Sequence, residues 1–168
     1  MKKQAPEIKL RRATIADIGM LTVMARKMLG HHIALSSGDS TIMAYLKPDR
    51  DFDRIWKGWV GKWIRSANGM VIIAESGGKP VGYALGYIKK NTPIYSLKEI
   101  GYIGDLYVEK RFRGFGVGTI MKDYMLSWFR KRKMHYVSIA VHESNSAAHK
   151  VYASWGFSDY YREMRQRL

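Results

Sequence analysis

Between Glu99 and Arg132 an apolar strand pattern runs into a loop with glycine at alternate positions and then into an amphipathic helix, and this succession constrains the chain more than any other feature. The strand ends on Gly104-Asp105-Leu106-Tyr107-Val108, and Glu109-Lys110-Arg111-Phe112 leads into Arg113-Gly114-Phe115-Gly116-Val117-Gly118. The helix pattern covers Gly116 to Arg132. Glycines let backbone N–H groups approach an oxygen closely, and the first turn of a helix carries unpaired donors with partial positive charge. Strand, loop and helix start therefore predict an anion site, with Arg111 and Arg113 adding full charges at its rim.

The remaining patterns supply a sheet and its helices. Glu7 to Ala13 alternates as a short strand, and Thr14 with Asp17 reads as a capping box. The next helix carries Ile18, Leu21, Met24, Ala25 and Met28, with Gly30 as its predicted stop. His31 to Lys47 has a weak pattern, read as loop or short helix. Asp51 caps a helix whose apolar stripe includes Trp56, Trp59 and Trp63, a spacing that favours core over a substrate cleft. Met70 to Glu75, the Gly77-Gly78 turn and Val81 to Ile88 form a meander, and Tyr136 to Val141 adds a strand. Ser144 or Asn145 opens the last helix, Gly156 ends it, and Phe157 to Met164 is predicted to return as a final strand.

No repeat, low-complexity tract or linker divides the 168 residues, so residues 1–168 are read as one domain. No apolar run approaches the roughly 18 residues needed to cross a bilayer, and the basic start MKKQAPEIKLRR lacks the apolar stretch of a secretory signal. A protein of the cytoplasm with no membrane partner is expected. Cysteine is absent, which excludes disulfides, thiolate metal sites and a cysteine-borne acyl intermediate. Lys plus Arg is 29 against 14 Asp plus Glu, a net charge of +15 that attracts phosphates, nucleic acid or acidic proteins without choosing among them. The aromatics fall on apolar stripes and no nucleic-acid motif is present, so nucleic acid is not expected as a partner. The adjacent His31 and His32 lack a third ligand at metal spacing, and no metal is expected.

Spacing separates the glycine loop from nucleotide-binding loops. Gly114, Gly116 and Thr119 miss the third glycine of the dinucleotide fingerprint. Gly118 is followed by Thr119 and Ile120 where a P-loop needs Lys and then Ser or Thr. Arg113-x-x-Gly116-x-Gly118, placed after its strand, instead resembles the acetyl-CoA motif of the GNAT superfamily of N-acetyltransferases. The resemblance continues through Asn145-Ser146-Ala147-Ala148-His149-Lys150-Val151-Tyr152 and Trp155-Gly156-Phe157, and covers roughly Met70 to Leu168.

The resemblance implies a mixed α/β (α+β) fold with a mostly antiparallel central sheet flanked by helices and splayed at the cofactor-binding strands. It implies acetyl-CoA as cosubstrate, with its pantetheine arm along Leu106, Tyr107 and Val108 and its pyrophosphate in the loop of Arg113, Gly114, Phe115, Gly116, Val117, Gly118 and Thr119, on the N–H groups from Phe115 to Thr119. Asn145 would bond the pantetheine arm or cap its helix, and Arg111 or Lys150 would meet the further phosphate. Tyr152 lies at the position of the family's general acid. A glutamate that some relatives use as base falls here on Gly104, which leaves Asp105, Glu143, Glu99 and His142 as candidate bases. The implied reaction is direct transfer of acetyl to a primary amine of a peptide or small molecule, with His31 and His32 in the acceptor region. The alternative is a basic nucleic-acid or protein-binding module that keeps a vestigial acyl-CoA fold. A homodimer is compatible with the apolar final strand.

Overall fold

The computed structural model describes residues 6–168; residues 1–5, where the basic start begins, lie outside them. Five strands form one sheet in the order β1 (Lys9–Arg12), β2 (Gly69–Ser76), β3 (Lys79–Lys90), β4 (Glu99–Val108) and β5 (Val137–Ile139). The first four are antiparallel, and β5 runs parallel to β4. Helices α1 (Ile18–Leu35) and α3 (Phe52–Arg65) pack on one face, where Leu21, Val60, Ile73, Tyr83 and Leu85 are fully buried. Helix α4 (Val117–Lys131) covers the other through Met121, Met125 and Phe129. With both faces covered, β2 shows an unbroken buried run from Met70 to Ala74 in place of alternation. No helix among the described residues is long and apolar enough to cross a membrane.

Local chemistry accounts for most boundaries. Gly77 and Gly78 take φ of +55° and +72°, the left-handed values a two-residue hairpin turn needs. Asp17 accepts from the Thr14 N–H at 2.7 Å and its hydroxyl at 2.9 Å, and a 3-10 turn (Ile15–Asp17) then leads into α1. Trp56 meets the edge of Tyr83 and Trp63 stacks on Tyr87 at 4.2 Å, so these two rings serve the core as their spacing predicts, whereas Trp59 is exposed.

Two expectations are corrected and one is narrowed. Gly30 does not stop α1, which continues to Leu35. A Cβ at Gly30 would meet nothing, so the residue lies in open space and its low helix propensity, about 1 kcal/mol, is outweighed by the packing of the turns before it. The weak segment after it contains α2 (Ser40–Tyr45), started by Asp39, whose carboxylate accepts from the Thr41 and Ile42 N–H groups at 2.9 and 3.1 Å. The predicted final strand does not form: after α5 (Ser146–Ser154) and Gly156, residues 157–168 carry no regular element. Tyr160 and Tyr161 are neighbours in sequence and 79% and 76% exposed, and Arg162, Arg165 and Arg167 break up the rest of the segment, so it offers no apolar face to a sheet. It is held by side chains instead, among them Arg162 to Glu143 at 3.1 Å and the Arg165 guanidinium on the Tyr45 ring. The strand that made a homodimer compatible is therefore absent.

Two irregularities of β4 shape the site. Leu85 pairs with Asp105 and Gly86 with Ile103, so Gly104 is an extra residue and β4 bulges there. Pairing with β5 ends at Ile103 and Ile139, leaving the stretch from Gly104 to Val108 bonded to β3 on one edge only. This is the splay implied by the sequence resemblance.

Candidate active site

The glycine loop sits where β4 delivers the chain to α4. A 3-10 turn at Lys110–Phe112 reverses it, and the Arg113 Nε then donates to the Val108 carbonyl at 2.9 Å, tying the loop to the strand end. Gly114 and Gly116 have φ of +81° and +77°, conformations that side-chain-bearing residues rarely hold. Gly116 stands at the N-cap, and the first helical bond runs from the Ile120 N–H to its carbonyl at 3.0 Å. The N–H groups from Gly116 to Thr119 therefore have no helical acceptor, and no side chain caps them. A Cβ at Gly114 or Gly116 would meet nothing, so the approach to these donors is open. Gly118 is closer packed, with Trp155 and Leu106 at 3.5 and 3.6 Å from where its Cβ would lie. Thr119 accepts from the Trp155 Nε1 at 3.2 Å, which seats the end of α5 against this helix start. The arrangement fits a pyrophosphate: free donors, positive helix end, Arg111 and Arg113 exposed nearby.

Beside the loop, the side chains of Leu106 and Val108 pack into the α4 core and those of Asp105 and Tyr107 point to the α1 face. The outer edge of this stretch faces the gap left by β5, where an extended arm of a ligand can add itself as a strand would. Helix α1 closes the site from the side. Its Lys27 ammonium lies 2.6 Å from Glu109, whose other carboxylate oxygen accepts from the Tyr107 hydroxyl at 3.3 Å. His31, one turn on, is close enough to Arg113 that burial first and this charge second lower its pKa.

Among the proposed acid and base groups, the structure separates the candidates. Asp105 accepts from the Tyr83 hydroxyl at 3.0 Å and has no cationic partner among the described residues, although the chain is rich in Lys and Arg. Burial pushes its pKa up to about 6, opposed by the Tyr83 hydrogen bond. Tyr152 is half-buried between Trp155 and Phe157, ring centroids 5.5 and 6.5 Å away, and burial raises its pKa. Asn145 caps α5 by accepting from the Ala148 N–H at 3.1 Å, which leaves its amide donors free. Glu143 is exposed and paired with Arg162.

Two weaker candidates are corrected. Glu99 opens β4 opposite Lys90, six residues and about 20 Å along the strand from Asp105. His142 has both ring nitrogens engaged: Nδ1 takes the Ser144 N–H at 3.2 Å and Nε2 lies 2.8 Å from the Ser36 hydroxyl, which donates to the His32 carbonyl. With Nδ1 as acceptor the ring donates from Nε2, so it fastens the end of α1 to the loop after β5 and holds no free base. His32 lies beside it, its pKa lowered by burial and then by His142 and His31. A cavity of about 120 Å³ opens here, lined by Ser36, Asp39, Ile42, His142 and Ser144, between the segment that follows His31 and His32 and the loop after β5. Tyr83, Glu109 and Ser36 escape sequence reasoning because each acts through a partner 22 or more residues away. No group of three potential metal ligands is present among the described residues.

Residues 34–157 match the model of the Acetyltransferase (GNAT) family. An uncharacterized N-acetyltransferase of Methanocaldococcus jannaschii is 29% identical over 129 residues, covering 72% of this chain and 56% of its own. Another from Archaeoglobus fulgidus is 31% identical over 98 residues, 55% of this chain and 63% of its own. The chain thus spans about 60% of the length of the curated relatives it matches. Among solved structures, a predicted acetyltransferase from Clostridium acetobutylicum with acetyl-CoA superposes with a TM-score of 0.76 at 21% identity, over 96% of both chains. An aminoglycoside N-acetyltransferase, AAC(6')-Iy, in complex with CoA has a TM-score of 0.73 at 14% identity, over 100% of this chain and 99% of its own. At these identities the structures establish a shared fold. With the family model spanning most of the chain, this chain belongs to the GNAT acetyltransferase family.

Proposed function

We propose that the protein is an acetyl-CoA-dependent N-acetyltransferase that moves acetyl to a primary amine within one ternary complex. The observation that carries this reading is the juxtaposition of the free N–H groups at the start of α4 with the half-paired edge of β4 and the uncompensated Asp105 beside it. Pyrophosphate on the cradle and pantetheine along Leu106 to Val108 would present the thioester near Asp105. The amine nitrogen then bonds to the acetyl carbon as the carbon–sulfur bond breaks. The nitrogen proton passes to the Asp105 carboxylate, directly or through one water, and the Tyr152 phenol supplies a proton to the departing sulfur. A base near pH 6 and an acid that burial keeps protonated are suited to these tasks at neutral pH. Glu143 would need to leave Arg162 before it could take the base role.

The acceptor class within this proposal is a peptide amine or a small-molecule amine, aminoglycosides included because similar folds bind them. Mixing the protein with acetyl-CoA and a panel of peptides, polyamines and aminoglycosides should release free thiol with at least one acceptor and yield the acetylated amine by mass. Coenzyme A binding without thiol release across the panel would remove the enzymatic reading.

A further inference from the structure

The end of the sheet away from the glycine loop gathers three connections. These are the turn from α3 into β2, the hairpin between β3 and β4, and the link from α4 into β5. They are bonded into one surface. Arg132 donates to the Asn68 Oδ1 at 2.7 Å, the Ile88 N–H to the Asn68 carbonyl at 2.9 Å, and the Gly101 N–H to the Tyr136 carbonyl at 3.0 Å. Adjacent strands here stand about 4.8 Å apart, and the Arg132–Asn68 bond draws the α4–β5 link to the α3–β2 turn, so neighbouring connections share one field at physiological salt.

That field is strongly positive. Arg65, Lys89, Lys90, Lys98 and the run Arg130 to Lys133 are exposed, and Glu99 is the only carboxylate these connections carry. Among the described residues none of these cations is in an ion pair. Like charges held together with a single carboxylate among them raise the energy of the fold, a cost that a bound polyanion would relieve. Two further features separate the kinds of polyanion. Tyr136, directly after the basic run, is 69% exposed although its backbone is fixed by Gly101. Beside it a cavity of about 240 Å³ opens between Arg130, His135, Trp155 and Phe157, roomy enough for a planar ring. Cations next to exposed aromatic faces suit a chain of phosphates carrying flat bases, and an acidic peptide has no use for the latter.

We infer that this basic end is a docking surface for single-stranded nucleic acid, with Lys89 and the Arg130 to Lys133 run on the phosphates and Tyr136 stacked on a base. Such docking departs from the expectation drawn from composition because His135 and Tyr136 directly follow the basic run Arg130 to Lys133 in the α4–β5 link. The surface lies about 30 Å along β4 from the glycine loop, so docking and acetyl transfer can proceed on one molecule. Docking does not depend on the proposed enzymatic function, and its test contains neither acetyl-CoA nor acceptor.

The test is fluorescence anisotropy of a labelled mixed-sequence 20-nucleotide RNA, and of the same sequence as DNA, titrated with the full chain from 50 to 300 mM NaCl. The expected result is binding in roughly the micromolar range at the low-salt end, weakening linearly on a log–log scale with salt. The double substitution Lys89→Glu with Lys131→Glu should lower the slope by about 0.7 for each contact removed and weaken binding at least tenfold, with coenzyme A binding unchanged. Tyr136→Ala should weaken single strands about tenfold and duplex far less. Absence of binding at 50 mM NaCl, indifference to the double reversal, or equal loss of duplex and single-strand binding in Tyr136→Ala would overturn the assignment. So would displacement of RNA by polyglutamate at equal charge, which would assign the surface to an acidic protein. RNA and DNA binding alike indicates backbone recognition, and preference for either refines the partner while supporting the site.

Discussion

At the scale of single residues, Asp105 decides most. Its carboxylate is surrounded by Tyr83, Tyr87 and Tyr102, whose own pKa values are raised by burial first, with further contributions that include its negative charge. If it receives the amine proton, kcat/KM should rise through about pH 6 as it ionises, and Asp105→Asn should remove that limb and most of the turnover. Tyr83 gives a sharper test because its hydroxyl bonds to the carboxylate alone. That hydrogen bond favours the charged form, so Tyr83→Phe should move the acidic limb to higher pH while the KM for acetyl-CoA holds. A limb that stays in place in both variants assigns the base elsewhere. Tyr152→Phe should lower kcat by about tenfold to a thousandfold with coenzyme A affinity retained, measured by turnover and calorimetry; unchanged turnover would leave the phenol a packing role against Trp155 and Phe157. Asp105 and Tyr152 were legible as candidates because their types and positions after a strand and within a helix carry chemistry. Which carboxylate is desolvated was not legible, since that depends on the rings of β3 that close over it.

At the scale of elements, the loop and helix start can be tested apart from the chemistry. Gly116→Trp places a large side chain in the open approach to the free N–H groups, where nothing now lies within 4 Å. Calorimetry should show coenzyme A binding lost, while circular dichroism keeps the helix content at an added left-handed strain of about 1–2 kcal/mol. The opposite case is Gly101→Ala in β4, whose Cβ would fall 2.6 Å from Cδ1 of the fully buried Phe129 ring. Overpacking of this kind costs about 1–3 kcal/mol, so Tm should fall by roughly 3–10 °C with the cofactor site intact. Strands β2 to β4, with near-continuous apolar runs, and helices α3 and α4, with one buried stripe each, were readable because burial dictates their residues. Gly30 and residues 157–168 were not. A solvent-facing glycine and a segment held only by distant side chains such as Glu143 and Tyr45 leave no periodic trace in sequence.

At the scale of the whole molecule, two carboxylates of opposite behaviour shape stability against pH. Asp17 is held below the usual range chiefly by hydrogen bonds from Arg11, which also reaches Glu75 at 2.8 Å and so ties β1 to β2. Its contribution is present above the unfolded carboxylate pKa near 3.9 and disappears as pH falls below that toward its folded value. Asp105 works in reverse. Its folded pKa of about 6 exceeds the unfolded value, so the folded state prefers the proton and loses stability as pH climbs between about 4 and 6. Two pH units correspond to about 2–3 kcal/mol carried as a cost at pH 8. Asp105→Asn keeps the shape and removes the charge, so urea unfolding should find the variant about 2–3 kcal/mol more stable than wild type at pH 8 and equal to it below pH 4. A gap independent of pH would mean that the carboxylate is solvated in the folded protein, and the case for Asp105 as a poised base would fall with it. A gap that opens between pH 4 and 6 would identify a charge kept at the expense of the fold, beside a cradle suited to an acyl carrier.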